Sequence, residues 1–126
     1  QMVDSRSQNA ARFGALAERA ARERYGLDVR HTSWCDAEDA EGRPWDVKAC
    51  MLSRDSPRFR LWKEQHSRLK GAGGGYVFVA YVPRGTGIEV KNMRSVRADS
   101  LRLDFYGAGR HVKGDQVKVK PSRVFG

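Results

Sequence analysis

The sequence predicts an α/β fold in which a mixed central β-sheet is flanked by helices. Residues 76–83, YVFVAYVP, form a continuously apolar run, which is typical of a strand covered on both faces. Helical periodicity over residues 5–26 and 54–75, with a polar turn around Gly42, gives the order helix, strand, strand, helix, strand. A helix between two strands is the crossover expected of a mixed sheet. The length of 126 residues predicts a single domain, residues 1–126.

The first helix is predicted over residues 5–26, because apolar side chains recur along one stripe of it. Gly26 is expected to end this helix. Glu18 falls at the edge of the stripe, one turn after Gly14, and two interpretations are open for it. Its carboxylate either faces a groove beside the helix or is an ordinary solvated side chain. The stripe consists of Phe13, Leu16, Ala17, Ala20 and Ala21.

A β-hairpin is predicted next, with strands over residues 27–37 and 45–52. Residues two apart in a strand point to the same side, so Asp46 and Lys48 are expected to stand side by side. Antiparallel pairing brings Asp36, at the end of the first strand, near Asp46. An acid and a lysine at this spacing are by themselves often a surface ion pair. The apolar run around them, WDVKACML, argues against a plainly solvated strand.

The second helix is predicted over residues 54–75, with Ser56 as its N-cap and Pro57 as its first residue. Glycines in residues 71–75 are expected to end the helix and to form a flexible loop. A further strand is predicted over residues 88–96, where apolar and polar residues alternate. The apolar face of the helix comprises Phe59, Trp62, His66 and Leu69.

The chain carries 24 lysine and arginine residues against 15 aspartate and glutamate residues, a formal net charge of +9. This excess favours a polyanionic partner, most often nucleic acid, and a basic protein without such a partner is the alternative.

No apolar run approaches the roughly 20 residues needed to span a bilayer. The two cysteines, Cys35 and Cys50, favour a reducing cytosol. The expected location is therefore cytoplasmic, for a protein of prokaryotic or viral origin. The basic residues expected to contact phosphates are Arg54, Arg58, Arg60, Lys63, Arg110 and Lys113.

Four side chains are candidates for catalytic chemistry: Glu18, Asp36, Asp46 and Lys48. Carboxylates that converge at one sheet edge repel each other unless a cation lies between them. Oxygen ligands suit Mg²⁺ or Mn²⁺, and such an ion can activate water and neutralise charge that develops on a phosphodiester. Lys48 can then orient or deprotonate the attacking water, or stabilise the transition state.

The order of these motifs resembles the PD-(D/E)XK nuclease superfamily, which includes archaeal Holliday-junction resolvases and many restriction endonucleases. The helix GALAERAARERYGLDV is similar to the opening helix of the resolvase-like members. The segment WCDAEDAEGRPWDVKAC resembles the D…(D/E)-x-K core in its short-spacing form. The resemblance covers roughly residues 10 to 82 and implies a restriction-endonuclease-like core. There are two departures, since Cys35 rather than proline precedes Asp36, and Asp46 stands where many members have glutamate.

The resemblance implies a role for each residue of the motif. Asp36 and Asp46 correspond to metal ligands, Lys48 to the catalytic lysine, and Glu18 to an additional acid on the helix. Asp39 is a rival of Asp36 for the first acid, because it also lies in the turn.

Gln65 and His66 lie on or beside the apolar face of the second helix. Some members of the superfamily place a glutamine on this helix near the metal, which makes Gln65 a candidate auxiliary residue. The other interpretation is that both side chains are buried and hydrogen-bonded for structural reasons.

The sequence thus predicts a Mg²⁺- or Mn²⁺-dependent endonuclease that hydrolyses DNA, with duplex and branched, Holliday-junction-like substrates both open. A single small domain offers little surface to hold a duplex, so a homodimer is expected. One alternative is a non-catalytic nucleic-acid-binding module on the same fold. A third interpretation is an interaction protein in which the acid–lysine pair is only an ion pair.

Overall fold

The computed structural model describes residues 5–105 and 115–126. The candidate phosphate contacts Arg110 and Lys113 lie outside these residues. None of the helices in the described ranges is long and apolar enough to cross a membrane. The elements in chain order are helix α1 (Ser5–Tyr25), strands β1 (Asp28–Val29), β2 (Ala37–Glu38), β3 (Pro44–Met51) and β4 (Phe59–Trp62), helix α2 (Lys63–Gly71), strands β5 (Gly75–Arg84) and β6 (Gly87–Arg97), a 3-10 turn (Ala98–Ser100), strand β7 (Gln116–Val119) and helix α3 (Pro121–Phe125).

A five-stranded mixed sheet in the order β1-β2-β3-β5-β6 forms the centre of the molecule. Strand β5 pairs parallel with β3 and antiparallel with β6. The apolar run predicted to be a buried strand lies in β5, and its residues from Tyr76 to Tyr81 are all buried. The α/β fold with helices on both faces of a mixed sheet is therefore confirmed.

The two faces of the sheet are covered by different elements. On one face, Ala17 and Ala21 of α1 pack against Val77 and Val79 of β5. On the other face, α2, α3 and a second sheet of β4 and β7 enclose the larger core. The core side chains on this face include Phe59, Leu61, Leu69, Tyr76, Phe78 and Val124.

The prediction of one helix over residues 54–75 is wrong in its first half. Phe59 to Trp62 form β4, which pairs antiparallel with β7, and helix α2 begins only at Lys63. Phe59 and Leu61 are buried and alternate with an exposed residue, as in a strand. Ser56 is not an N-cap, since it adopts a positive φ of 49° outside the helix. The apolar spacing of this segment fits both the period of a helix and that of a strand. Pairing with the distant strand β7 favours the strand.

The first strand of the predicted hairpin is also much shorter than residues 27–37. Only the two-residue strands β1 and β2 form there, and they pair with each other. The polar residues between them form a loop in which Thr32 Oγ1 accepts hydrogen bonds from the backbone N–H groups of Trp34 and Cys35. Because β2 pairs with β3 only as far as Trp45, it leaves the edge of β3 uncovered beyond that residue.

The glycines after α2 form a tight connection to β5, not the flexible loop that was predicted. A Cβ atom at Gly74 would lie 1.8 Å from the carbonyl oxygen of Pro44. A Cβ atom at Gly75 would lie 2.2 Å from the carbonyl oxygen of Val96. These two glycines therefore allow the backbone of the connection to pass directly against the neighbouring strands.

Candidate active site

Asp46 and Lys48 lie side by side on the uncovered part of β3. Lys48 Nζ is 3.1 Å from Asp46 Oδ2. Their register neighbours on β5 are Tyr76 and Phe78, so the pair stands on the sheet face that packs against α2 and β4. Asp46 is only 6% exposed, which separates this pair from an ordinary surface ion pair.

Asp36 extends the hydrogen bonding along β3 beyond the end of β2, first through its backbone and then through its carboxylate. Its backbone N–H donates a hydrogen bond to the carbonyl of Trp45 at 3.1 Å, next to the last paired residue of β2. Its Oδ2 atom then accepts a hydrogen bond from the backbone N–H of Val47 at 2.9 Å. The carboxylate thus occupies the place of a strand partner and is held between the backbone positions of Asp46 and Lys48.

Glu18 joins the two aspartates from helix α1. Its side chain is partly buried, and its nearest basic partner is Arg22 Nη1 at 3.9 Å. Partial burial raises the pKa of Glu18, and the negative charge of Asp36 raises it further. The carboxylate therefore faces Asp36 and the cavity beside it, which favours the first of the two interpretations that the sequence left open.

Burial raises the pKa of Asp46 from its ordinary value of 3.8 to about 7. The positive charge of Lys48 opposes this rise, whereas the nearby charge of Asp36 adds to it. Three acids at one sheet edge, beside a single close lysine, are thus an electrostatically unfavourable group that a bound cation would stabilise.

We expect the affinity of this site for a divalent cation to depend steeply on pH. A proton on Asp46 competes with the metal, and with a pKa of about 7 the carboxyl is mostly protonated below neutral pH. Affinity should therefore fall by about tenfold per pH unit below pH 7 and level off above it. Titration calorimetry with Mn²⁺ between about pH 5.5 and pH 8.5 measures this, and a flat profile below pH 7 would contradict it.

Asp39, the rival first acid, is bound within the turn. Its Oδ1 atom accepts hydrogen bonds from the backbone N–H groups of Glu41 and Arg43, and its Oδ2 atom accepts them from Arg43 Nε and Trp45 Nε1. Burial acts to raise the pKa of Asp39, but the hydrogen bonds of Trp45 and Arg43 outweigh it and hold the pKa at about 2. With its oxygens used in this way, Asp39 is a structural residue of the turn, and the geometry favours Asp36.

Gln65 and His66 of α2 point in different directions and have different surroundings. His66 is buried, and its Nδ1 atom is hydrogen-bonded to the hydroxyl of Tyr76 at 2.9 Å. Gln65 lines the same cavity as the acids and donates from Nε2 to the carbonyl of Trp34 at 2.9 Å. Its buried Oε1 atom has no hydrogen-bond partner among the described residues. His66 therefore has a structural role, whereas Gln65 lines the acid cleft and links α2 to the loop at Trp34.

The acids and Lys48 line one open cavity of about 810 Å³, which we name the acid cleft. A second cavity of about 420 Å³ follows it, which we name the basic groove. On α1, Glu18 lines the acid cleft and Gly14, one turn earlier, lines the basic groove. On β3, Lys48 lines the acid cleft and the next residue, Ala49, lines the basic groove. The two cavities thus lie end to end along α1 and β3. The basic residues of the basic groove are Arg54, Arg58, Arg60 and Lys118.

The predicted phosphate contact Lys63 is not part of the basic groove. It lies at the start of α2, and its Nζ atom pairs with Asp115 Oδ2 at 3.5 Å. Lys118 takes part instead, because Arg60 and Lys118 are register partners in the small sheet of β4 and β7. The sequence offered no signal for this pairing, since it depends on the strand β4 that was predicted as helix.

Sequence reasoning also missed that His31 and Trp34 lie close to the acids. His31 offers a ring nitrogen to Glu18 and Asp36, with one ligand atom from each residue within 4.8 Å of the others. Trp34 lines the acid cleft together with Arg68, whose guanidinium carbon lies 5.8 Å from the centre of the indole. These residues carry no motif, and the loop conformation alone places His31 and Trp34 at the site.

A second acid–lysine pair with the same spacing shows what the local pattern cannot decide. Glu89 and Lys91 lie on β6, with Lys91 Nζ 3.2 Å from Glu89 Oε2. Hydrogen bonds from Arg84 and Lys91 lower the pKa of Glu89, in contrast to the raised pKa of the buried Asp46. Within the described part of the chain, Asp46 and Lys48 line the acid cleft and the β6 pair does not.

Comparison with known proteins shows the family to which the chain belongs. No curated protein and no solved structure matches the chain significantly. Residues 4–126 match a family model described as a PD-(D/E)XK nuclease superfamily domain, which is almost the whole chain. The match extends well beyond the motif and agrees with the mixed sheet flanked by helices. The chain therefore belongs to the PD-(D/E)XK nuclease superfamily.

Proposed function

We propose that this protein is a divalent-metal-dependent endonuclease that hydrolyses phosphodiester bonds of DNA at the acid cleft. The observation that carries the proposal is the group formed by Asp36, Asp46 and Lys48. Asp36 Oδ2 binds the backbone of Val47 at 2.9 Å, and Lys48 Nζ lies 3.1 Å from Asp46 on the same edge of β3. Three functional groups thus converge within one accessible cavity.

The residues of the acid cleft fit Mg²⁺ or Mn²⁺. Asp36, Asp46 and Glu18 provide carboxylate oxygens, the donors that hard divalent cations prefer. The mutual charge of these acids raises the pKa values of Glu18 and Asp46 in addition to burial, and a cation would remove this cost. A bound divalent ion would supply Lewis-acid activation of water and of the scissile phosphate.

Lys48 has the position of a transition-state stabiliser. Its side chain is 17% exposed, so its ammonium group is partly desolvated and interacts more strongly with a nearby anion than it would in water. Asp46 holds the ammonium on the cleft side of β3, where it can donate to a phosphate oxygen or to the attacking water. The charge that develops on the phosphate during hydrolysis strengthens this interaction, and this differential binding accelerates the reaction.

The basic groove provides the proposed path of the DNA backbone away from the acid cleft. Arg54, Arg58, Arg60 and Lys118 line this groove, which begins where the acid cleft ends. A row of positively charged side chains along a groove can hold a phosphate backbone in place without contacting the bases that define its sequence. The backbone would then run along β3, with the scissile phosphate beside Lys48.

Replacement of Arg60 by alanine is expected to weaken DNA binding equally on different sequences. Arg60 is exposed on β4. The log of the affinity falls as the log of the salt concentration rises, and loss of Arg60 should make this slope less steep by about 1. The matched control is Arg97→Ala, which removes an exposed arginine of β6 that pairs with Asp99. Fluorescence anisotropy over a range of salt concentrations measures both variants, and equal slopes for the two would contradict the proposed path.

The proposed activity is tested on supercoiled plasmid, linear duplex and a four-way junction, each with Mg²⁺, Mn²⁺ or EDTA. We expect cleavage that requires the metal and that falls by about 1,000-fold or more in Asp46→Asn, because metal ions contribute several kcal/mol to such reactions. The junction is included because the opening helix resembles that of resolvase-like members. Absence of cleavage, with salt-sensitive DNA binding retained, would show a non-catalytic binding module instead.

A homodimer is part of the proposal, because a single domain of 126 residues offers little surface to hold a duplex. Sedimentation analysis of the protein with and without DNA tests it. A monomer that cleaves both strands of a duplex would contradict it.

A further inference from the structure

His31 brings a nitrogen atom to the acid cleft from the loop between β1 and β2. One ligand atom each from Glu18, His31 and Asp36 lies within 4.8 Å of the other two. Two atoms bound to one ion at about 2.1 Å are at most about 4.2 Å apart, so the three side chains are close to coordination distance. His31 is exposed, and a small rotation of such a side chain occurs readily.

We propose that Glu18, His31 and Asp36 form a second metal position that selects a first-row transition-metal ion such as Mn²⁺ over Mg²⁺. This position lies beside the one formed by Asp36 and Asp46, and Asp36 serves both. The inference rests on the proposed function, because the first position is part of it.

The geometry divides the acids into two groups. Asp46 is held by Lys48 at 3.1 Å on β3, whereas the close group that contains His31 comprises Glu18 and Asp36. Asp36 lies between them, since it belongs to the close group with Glu18 and His31 while its Oδ2 atom accepts from the backbone N–H of Val47, between Asp46 and Lys48. Among the described residues the salt-bridge partner of Glu18 is Arg22, at the long distance of 3.9 Å, which leaves the carboxylate available to a cation. Adjacent metal positions that share a carboxylate are suited to phosphodiester hydrolysis.

The chemistry of the donors determines the preference for the metal. Mg²⁺ is a hard ion that binds oxygen ligands and keeps several water molecules. An imidazole nitrogen suits transition-metal ions, and affinities at a mixed nitrogen and oxygen site follow the order of that series. A position with one imidazole and two carboxylates should therefore bind Mn²⁺, the weakest binder of that series, more tightly than Mg²⁺. The position formed by Asp36 and Asp46 has only carboxylates and lacks this selectivity.

The test counts bound Mn²⁺ by electron paramagnetic resonance, in which only the free ion gives the sharp signal. We expect about two Mn²⁺ ions per wild-type chain and about one in His31→Ala. Asp36→Asn should lose tight binding at both positions, because Asp36 is shared. Removal of even an outer-shell partner lowers metal affinity by about 10- to 100-fold, so removal of His31 should cost at least that at its own position.

Two further variants make the test specific for a histidine ligand. His31→Asp keeps a ligand but exchanges nitrogen for oxygen, so Mn²⁺ binding should persist while Mg²⁺ competes for the position at least about tenfold better. His66→Asn removes a histidine of α2 that is hydrogen-bonded to Tyr76 and does not line the acid cleft, and it is the control. Electron spin echo measurements on bound Mn²⁺ should show nitrogen modulation in wild type and His66→Asn, and lose it in His31→Ala.

The outcomes distinguish the inference from the proposed activity. An unchanged Mn²⁺ count and unchanged nitrogen modulation in His31→Ala would overturn the inference, even if the wild type cleaves DNA. A loss of one Mn²⁺ in His31→Ala would support it, even if no cleavage is found with any metal. That combination would contradict the proposed nuclease activity and leave the second metal position supported.

Discussion

Replacement of Lys48 by methionine is expected to reduce DNA cleavage by roughly 100- to 1,000-fold, the usual cost of removing one preorganised transition-state donor. Methionine keeps the packing of the aliphatic stem but removes the ammonium group that lies 3.1 Å from Asp46. The turnover rate should fall, and DNA binding should change little, because the basic groove remains. Single-turnover cleavage at saturating metal concentration measures the effect.

The loss of Lys48 also acts on Asp46, and the measurement must separate the two effects. The positive charge of Lys48 opposes the protonation of Asp46, so the pKa of Asp46 should rise further in Lys48→Met. Cleavage measured at about pH 8.5, above the wild-type pKa of about 7, reduces this contribution. A defect that disappears at high pH would show that Lys48 acts only through the ionisation of Asp46.

The matched control is Lys91→Met on β6. Lys91 stands two residues after an acid, as Lys48 does, and its Nζ atom lies 3.2 Å from Glu89. It is exposed and belongs to a strand at the opposite edge of the sheet. Cleavage by Lys91→Met should equal that of the wild type, and an equal loss in both variants would contradict a specific role for Lys48.

Replacement of Gly74 by alanine is expected to lower the free energy of unfolding by about 3 kcal/mol or more. A Cβ atom at this position would lie 1.8 Å from the backbone carbonyl oxygen of Pro44, and neither group is a flexible side chain that can move aside. The backbone of α2 or the start of β3 must therefore shift. Because β3 carries Asp46 and Lys48, cleavage should also fall under conditions in which the variant is still folded.

Gly71→Ala provides the control for this prediction. Gly71 is the last residue of α2, and no heavy atom lies within 4 Å of the position of an added Cβ. Alanine there should change stability by less than about 1 kcal/mol, in the stabilising direction, because it restricts the unfolded chain. Urea denaturation measures both variants, and a Gly74→Ala protein as stable as Gly71→Ala would contradict the proposed close approach.

Short-range patterns in the sequence were sufficient for part of the site. Asp46 and Lys48 share a face because side chains alternate along any strand, and the continuous apolar run of β5 predicted a buried neighbour for them. The turn around Gly42, which has a positive φ of 79°, brought Asp36 to the same region. These relations depend only on backbone geometry over a few residues, so they are visible without the fold.

Other features depended on contacts that are distant in the sequence. Phe59 and Leu61 became a strand because β7 pairs with them. His31 joined the acids because its loop turns toward α1, and periodicity does not describe a loop. Asp36 and Asp39 differ because the turn uses the oxygens of Asp39 for its own hydrogen bonds.

The sequence by itself determined the class of the fold, the family and the pairing of an acid with a lysine on one strand. The chain has two acid–lysine pairs with the same spacing, on β3 and on β6, and the tertiary structure decided which of them lines the acid cleft. Asp46 is buried on the sheet face that packs against α2 and β4, and the charge of Asp36 acts on it, whereas Glu89 lies on an edge strand and pairs with arginine and lysine. Burial and neighbouring charge control ionisation and metal affinity, and both are sums over residues that only the folded chain brings together.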